Sequence, residues 1–539
     1  MIRRWSLAAS LIACIPLAAS AQGRGGFGRG MQGPPSFPTD DPVIKRIWAM
    51  GMDSSHTTQL AQALMDSIGP RLTGSPGHRA GNDWLVSMYK SWGIDARNEQ
   101  YGTWMSWKRG VSHIDLISPR VRSLEGTMLA WSPGTNGKDV DGDVVILPDV
   151  PDSNAFVQWL PNVKGKYVLV SPAQPSCRPD DDWAASATPA ELDSIRAQRT
   201  RLQQEWRARV ARTGYGTSLG TGTLGHRLEE AGAVGVIENY WSNGWGVDKV
   251  FNTRNTKVPG LDLSCEDYGL VYRLAEHNQH PRLRVHADAE FEGTKPVFNT
   301  IAVIPGTEKP DEYVMLSAHF DSWDGGSGAT DNGTGTITML EAMRILKQVY
   351  PHPKRTIIVG HWGGEEEGLI GSTAFAADHP EIVKGLQVLL NQDNGTGRVV
   401  NSSAGGLIDA TSHVADWFSR VPDQLSGNVK LSMPGSPGGG GSDHASFACK
   451  GALAVELGSL SWNYGIYTWH TNRDTYDKIV FDEVKANATL TAMLAYEASE
   501  DPQSVPREQR VIATNPRTGQ PGTWPACEVP LRTYDAYKR

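Results

Sequence analysis

The chain has 539 residues, of which 39% are hydrophobic and 20% charged, the balance of a soluble globular protein too long for one simple core. Its formal net charge is -8 and it carries no long basic block. That excludes a broad phosphate-neutralising surface, so no nucleic-acid partner is expected.

The chain opens "MIRRWSLAASLIACIPLAASAQG". Arg3 and Arg4 precede an apolar run and the small residues Ala19-Ser20-Ala21, the layout of a secretory signal peptide over residues 1–21. A secreted or periplasmic protein is therefore expected. The apolar run is short for a bilayer span of about 20 residues, so no transmembrane span is read. "LIAC" ending at Cys14 offers a lipoprotein reading, which the apolar residues continuing past it disfavour. Cys177, Cys265, Cys449 and Cys527 remain after cleavage. Export permits at least one disulfide among three pairings, and the lack of a CxxC pair argues against a cysteine zinc site.

"GRGGFGRGMQGPPSFP" is a Gly/Pro-rich leader. "SSHTTQLAQALMDSIG" and "HRAGNDWLVSMYKSWG" then carry helical spacing, the second ending at Gly93, a C-cap residue. From Ser123 to Gly293 short strand-like runs such as "DVVILP" and "KYVLVSP" alternate with turns. One helix interrupts them, "TPAELDSIRAQRTRLQQEWRARVAR", with Thr188 as N-cap, Pro189 first and Glu191 as capping-box partner.

Beyond Pro296 strand, loop and helix alternate. "NTIAVIPG", "YVMLSAHFD", "RTIIVGHW", "LQVLLNQD" and "GALAVELG" are β-rich runs separated by helical stretches such as "GTGTITMLEAMRILKQV". This pattern predicts an α/β domain whose mostly parallel sheet is covered on both faces by helices. The tail after Asp501 is polar and Pro-rich, and either wraps the surface or stays disordered.

In such sheets ligands bind beyond the carboxyl ends of the strands. His319 and Asp321 come after one strand and Asp331 opens the next helix. Glu365 and Glu366 come after another strand, Asp393 after a third, and His470 lies in "HTNRDT". Adjacent carboxylates such as "EEE", Glu365 to Glu367, repel one another and are seldom gathered without a cation. Imidazole with carboxylate suits zinc, and the set is too rich for one ion of about four ligands. Two Zn2+ ions sharing one carboxylate and a water use the whole set and leave one glutamate for proton transfer. Singly, each residue has a plainer reading: His319 structural, Asp331 an N-cap, Asp393 a strand end, Asp474 a turn support.

"HFDSWDGGSGATDNGTG", "GGEEEGLIGS", "NQD" and "HTNRDT" resemble the motif series of dizinc exopeptidases, the bacterial leucyl aminopeptidase and carboxypeptidase Q superfamily. "GPRLTGSPG" resembles the entry segment of the same superfamily, and "VKGKYVLV" with "AGAVGVIE" resembles an inserted protease-associated domain. The resemblance implies that His319, Asp331 and Asp393 hold one zinc and that Asp331, Glu366 and His470 hold the other. It implies Asp321 as the partner that fixes the His319 tautomer and Glu365 as general base, with Glu367 a bystander. The activity implied is hydrolysis of short peptides or dipeptides, from either end, by a zinc-bridging water. The implied division is signal peptide 1–21, leader 22–42, N-terminal part of the peptidase domain 43–122, insert 123–293, catalytic domain 294–500 and tail 501–539.

One stretch departs from that pattern. Several relatives place a tyrosine before "SDHxxF" to stabilise the oxyanion, whereas "PGGGGSDHASF" has glycine there. Tyr464, Tyr467 and His444 are the candidate substitutes. Two other readings stand beside hydrolysis: a single-zinc glutaminyl cyclase-type acyltransferase, and a receptor-like homologue without catalysis. The insert would restrict access to short peptides or mediate a homodimer.

Overall fold

Runs with no polar face must be covered on both sides, and here they are. In the computed structural model Arg355–Trp362 and Leu386–Asn391 are strands buried at every residue. Residues 39–216, 222–437, 441–514 and 519–538 are described, so the signal peptide and residues 22–38 of the leader lie outside them.

One sheet runs in the order Ala454–Glu456, Leu386–Asn391, Lys309–His319, Arg355–Trp362 and Arg282–Ile304. The first four strands are mutually parallel and the fifth is antiparallel to its neighbour. The helix Thr334–Val349, buried along nearly its whole length, packs against Phe481–Glu500. This is the mixed α/β architecture that the alternating pattern predicts.

The sheet continues into residues 123–293. Arg282–Ile304 pairs through Thr300–Ile304 with Arg355–Trp362 and through Arg282–Val285 with Val140–Ile146. From there the order continues Lys166–Leu169, Gly235–Glu238, Gly260–Leu263 and Gly126–Met128. Asp95–Ser118 pairs along the length of Arg282–Ile304 and braces the junction. Thr39–Arg539 is accordingly one compact unit.

Local signals decide the helix starts. Thr188 and Glu191 form the reciprocal capping box at the head of Pro189–Arg212. The "TTQLAQALMDSI" run is helical over Thr57–Gln62 and continues as a wider turn over Ala63–Ile68. Cys177 is bonded to Cys265, and Cys449 to Cys527, which ties down the C-terminal segment. The tail wraps the surface: Thr103 N–H donates to the Arg532 carbonyl at 2.9 Å, and the Tyr534 ring packs on Trp104 and Trp131. Among the described residues no helix is long and apolar enough to cross a membrane.

Glu238, at the end of its strand, lines a cavity of about 330 Å3. Burial pushes its carboxyl up to about 7. A carboxyl raised on folding stays protonated where the unfolded chain has already ionised. Its unfavourable contribution is absent below about pH 4, grows as pH rises, and is complete above about 7. The cavity opens the group partly to water, which discounts the effect to about 1–2 kcal/mol. Glu238→Gln should therefore stabilise the protein by that amount at pH 8 and leave it unchanged at pH 4. Urea unfolding at both pH values checks this, and equal shifts at the two would refute it.

Candidate metal centre

Parallel strands that neighbour in the sheet end at one edge, and the residues just beyond their ends meet there. His319 is the last residue of Lys309–His319, Glu365 lies three residues past Trp362, and Asp393 two past Asn391. Asp331 arrives from the turn Ala329–Gly333 ahead of its helix, and His470 from the loop after Tyr464–Thr468. The five candidate ligands, scattered along the sequence, meet at a cavity of about 410 Å3 that Glu365 also lines.

The geometry has two foci joined by one carboxylate. His319 Nε2 lies 3.2 Å from Asp393 Oδ1 and 3.4 Å from Asp331 Oδ1. His470 Nε2 lies 3.3 Å from Asp331 Oδ2 and 2.9 Å from Glu366 Oε2. Glu365 Oε2 stands 4.0 Å from His319 Nε2. His319, Glu365 and Asp393 form one group whose donor atoms could hold an ion, and His319, Asp331 and Glu366 another.

Electrostatics show what the cluster lacks. Burial pushes Glu365 and Glu366 well above the ordinary glutamate range, and the nearby aspartates add to it. Burial likewise raises Asp393. His470 is pushed down to about 4 by burial, against the pull of Asp331. Burial opposes a charged His319 too, but Asp393 and Glu365 outweigh it and hold that imidazole well above its usual value. Acids that must take up protons to share a pocket would instead ionise around a cation. Asp331 Oδ2, Glu366 Oε1 and His470 Nδ1 are buried without hydrogen-bond partners, so the donor set fits divalent metal. Imidazole nitrogen with carboxylate oxygen is the mix that suits zinc.

Asp321 is fully buried, and its backbone and side chain do different jobs. His319 Nδ1 is 3.1 Å from its carbonyl oxygen and 3.7 Å from its carboxylate. The carboxylate accepts the N–H groups of Glu365 at 3.1 Å and Glu366 at 3.2 Å, and the Thr73 hydroxyl at 3.2 Å. One side chain thus fixes the backbone of both glutamates.

Other supports carry no sequence pattern of their own. Arg71, in "GPRLTGSPG", is wholly buried and donates to the carbonyls of Phe320, Gly69, Ser327 and Gly328, tying the loop between Asp321 and Asp331. Asp474 accepts the N–H groups of Thr330 and Asp331 at 2.8 and 3.0 Å. Glu456 accepts the Asp393 N–H at 3.0 Å and lies 3.2 Å from His444 Nδ1. Their common signal is a buried charge bonded to backbone, which needs coordinates to be seen.

The three candidate oxyanion donors separate in space. The Tyr464 ring lines the cavity along with Gly441, and burial, reinforced by the nearby Asp331 carboxylate, pushes its phenol well above the usual range. Tyr467 packs instead against Gly244, and His444 stays with Glu456. Glu367 lies buried behind the site, with both carboxylate oxygens unpartnered.

Residues 299–495 match the model for peptidase family M28. The chain is 23% identical to carboxypeptidase Q of Bos taurus over 353 residues, 66% of this chain and 67% of that one. It is 23% identical to carboxypeptidase Q of Rattus norvegicus over 333 residues, 62% and 63% of the two chains. The matched region thus spans about two thirds of these relatives. A peptidase M28 precursor from Shewanella amazonensis shares the fold, with TM-score 0.63 and 22% identity over 87% of this chain and 98% of that one. A zinc aminopeptidase from Bacillus subtilis does so with TM-score 0.53 and 20% identity over 84% and 97%. Residues 299–495 thus match peptidase family M28, and the fold and the buried donor cluster agree with that match in marking a zinc metallopeptidase.

Proposed function

We propose that the protein is an exported dizinc exopeptidase acting on short peptides or dipeptides. The carrying observation is the Asp331 carboxylate, whose two oxygens face His319 and His470 separately at 3.4 and 3.3 Å. A carboxylate between two imidazoles, flanked by Asp393 and Glu366, is what a shared ligand needs. His319, Asp331 and Asp393 would hold one zinc, and Asp331, Glu366 and His470 the other. Two bound zinc ions would supply the Lewis acidity that readies a water and polarises the scissile carbonyl.

The remaining steps belong to the chain. Glu365 takes the proton of the attacking water and delivers it to the leaving amine. Asp321 keeps Glu365 and Glu366 in register through their backbone amides. The two disulfides support an oxidising compartment and hence export by the segment read at 1–21. Residues 123–293, whose strands from Val140 to Leu263 are mutually parallel, we read as the protease-associated-like insert.

The purified protein should carry about two zinc equivalents, the number a two-metal site holds. It should release free amino acid from an unblocked dipeptide. Comparing N-acetylated and C-amidated forms of that dipeptide assigns the end: loss on acetylation marks an aminopeptidase, loss on amidation a carboxypeptidase or dipeptidase. One zinc equivalent with cyclised product instead would overturn the dizinc hydrolase.

A further inference from the structure

His470 is the ligand farthest along the chain from the strand ends, and its loop has no sheet to hold it. Its backbone is left-handed, at φ 60°, which L-residues avoid. Something has to over-determine that conformation. Within its own domain the loop is tied by Trp469 N–H to the Tyr464 carbonyl and by Thr471 N–H to the Thr468 carbonyl. Trp323 sets its ring 5.8 Å from the His470 imidazole, and a further group of contacts comes from the insert.

Segment 246–252 runs alongside the loop. Val250 N–H donates to the His470 carbonyl at 2.8 Å, and Asn472 N–H donates to the Asp248 carbonyl at 3.0 Å. The Asn472 side chain closes on Asp248 from both ends, accepting its N–H at 3.1 Å and donating to its carboxylate at 2.9 Å. Arg473 donates to the Gly246 carbonyl at 2.9 Å. Phe251 sets its ring edge-on against the His470 imidazole, centroids 4.9 Å apart.

Lys249 closes the peptide on the other side of His470. It is 4% exposed, its Nζ donates to the Trp469 carbonyl at 3.0 Å, and the ammonium sits 4.0 Å over the Trp469 ring. Its own N–H is held by Asp262, a buried residue of the insert strand Gly260–Leu263. A continuous chain of contacts therefore runs from the insert sheet through Lys249 to the peptide preceding His470. A desolvated ammonium that both donates and caps an indole face is more than a surface ion pair.

We propose that segment 246–252 of the insert is part of the metal centre, with Lys249 as a positioning residue that fixes the backbone of His470 and so the approach of its imidazole to Asp331 and Glu366. This rests on the reading of His470 as a ligand. It assigns the insert a role inside the site, in addition to any gating of substrate.

The test uses the full chain, its Lys249→Met and Lys249→Arg variants, and Lys257→Met as a control at a nearby lysine outside the strap. Zinc affinities are measured by competition with a chelator, and amide exchange at Val250 and Asn472 is followed in metal-free protein. In Lys249→Met one zinc equivalent should be held as in the parent while the other weakens by about 10–100-fold, the usual effect of losing a support behind a ligand. Exchange at the two amides should rise, with the rest of the insert unchanged. Lys249→Arg, which keeps a donor and a cation over the indole, should restore both, and Lys257→Met should change neither. Parent-like affinity for both ions in Lys249→Met overturns the proposal. Should the parent bind one ion or none, the dizinc reading fails separately, and the strap is judged on exchange alone: unchanged protection of Val250 and Asn472 in Lys249→Met refutes it, and selective loss supports it.

Discussion

Replacing Glu365 by glutamine should lower kcat by about 10²–10⁴-fold, the range that a positioned general acid–base supplies, while both zinc equivalents stay bound. The exchange preserves shape and leaves the Glu365 N–H on Asp321 Oδ1, so the site should keep its form. What disappears is the capacity to accept a proton from water and return it to the amine. Steady-state rates on a dipeptide, together with zinc content on the same preparation, separate this from metal loss. A variant that cleaved at the parent rate would remove Glu365 from the chemistry. One that lost its zinc would make Glu365 a ligand, as its place with His319 and Asp393 in one donor group allows.

Asp331→Ala should be the most damaging single change, with kcat/KM falling by at least about 10⁴-fold, because groups that act as one unit fail together. Its two oxygens serve two foci, so both zinc equivalents should weaken, whereas loss of Asp393 or Glu366 should affect one. Stability should fall in the metal-free protein as well. Against its burial, His319 and His470 hold the Asp331 carboxyl below the ordinary aspartate range, so the apo variant loses a favourable partner of both imidazoles and should melt below the apo parent at neutral pH. Zinc should then raise Tm in the parent, through preferential binding to the folded state, and raise it far less in the variant. If Asp331→Ala retained two tightly held ions, the shared-carboxylate geometry would be wrong.

The role of Asp321 shows where a sequence-level assignment and the coordinates part. A carboxylate two residues past a ligand histidine is readily taken as that imidazole's acceptor. In the structure the nearer acceptor of His319 Nδ1 is the Asp321 carbonyl, and the carboxylate organises two amides that arrive from the neighbouring strand. Strand adjacency, which the sequence does not state, makes this possible: Lys309–His319 and Arg355–Trp362 lie side by side and in register at their ends.

Most of the chemistry-bearing residues were legible because each comes just after an apolar run of strand length, and parallel strands deliver the residues beyond their carboxyl ends to one edge. The capping box at Thr188 and Glu191 was legible because caps are set by a few neighbouring residues. The α/β class came from the same local periodicity. Charges bonded to backbone far away in sequence were not legible. Arg71 gathers carbonyls from residues 320–328, Asp474 holds the amides of Thr330 and Asp331, and Lys249 reaches across 220 residues of sequence to Trp469. The sequence by itself determined which groups meet, since strand ends and the residues that follow them are encoded locally. The tertiary structure alone decided how they are held, and that one sheet runs from residues 123–293 into residues 299–495, because a buried charge is satisfied by whatever backbone the fold brings within about 3 Å.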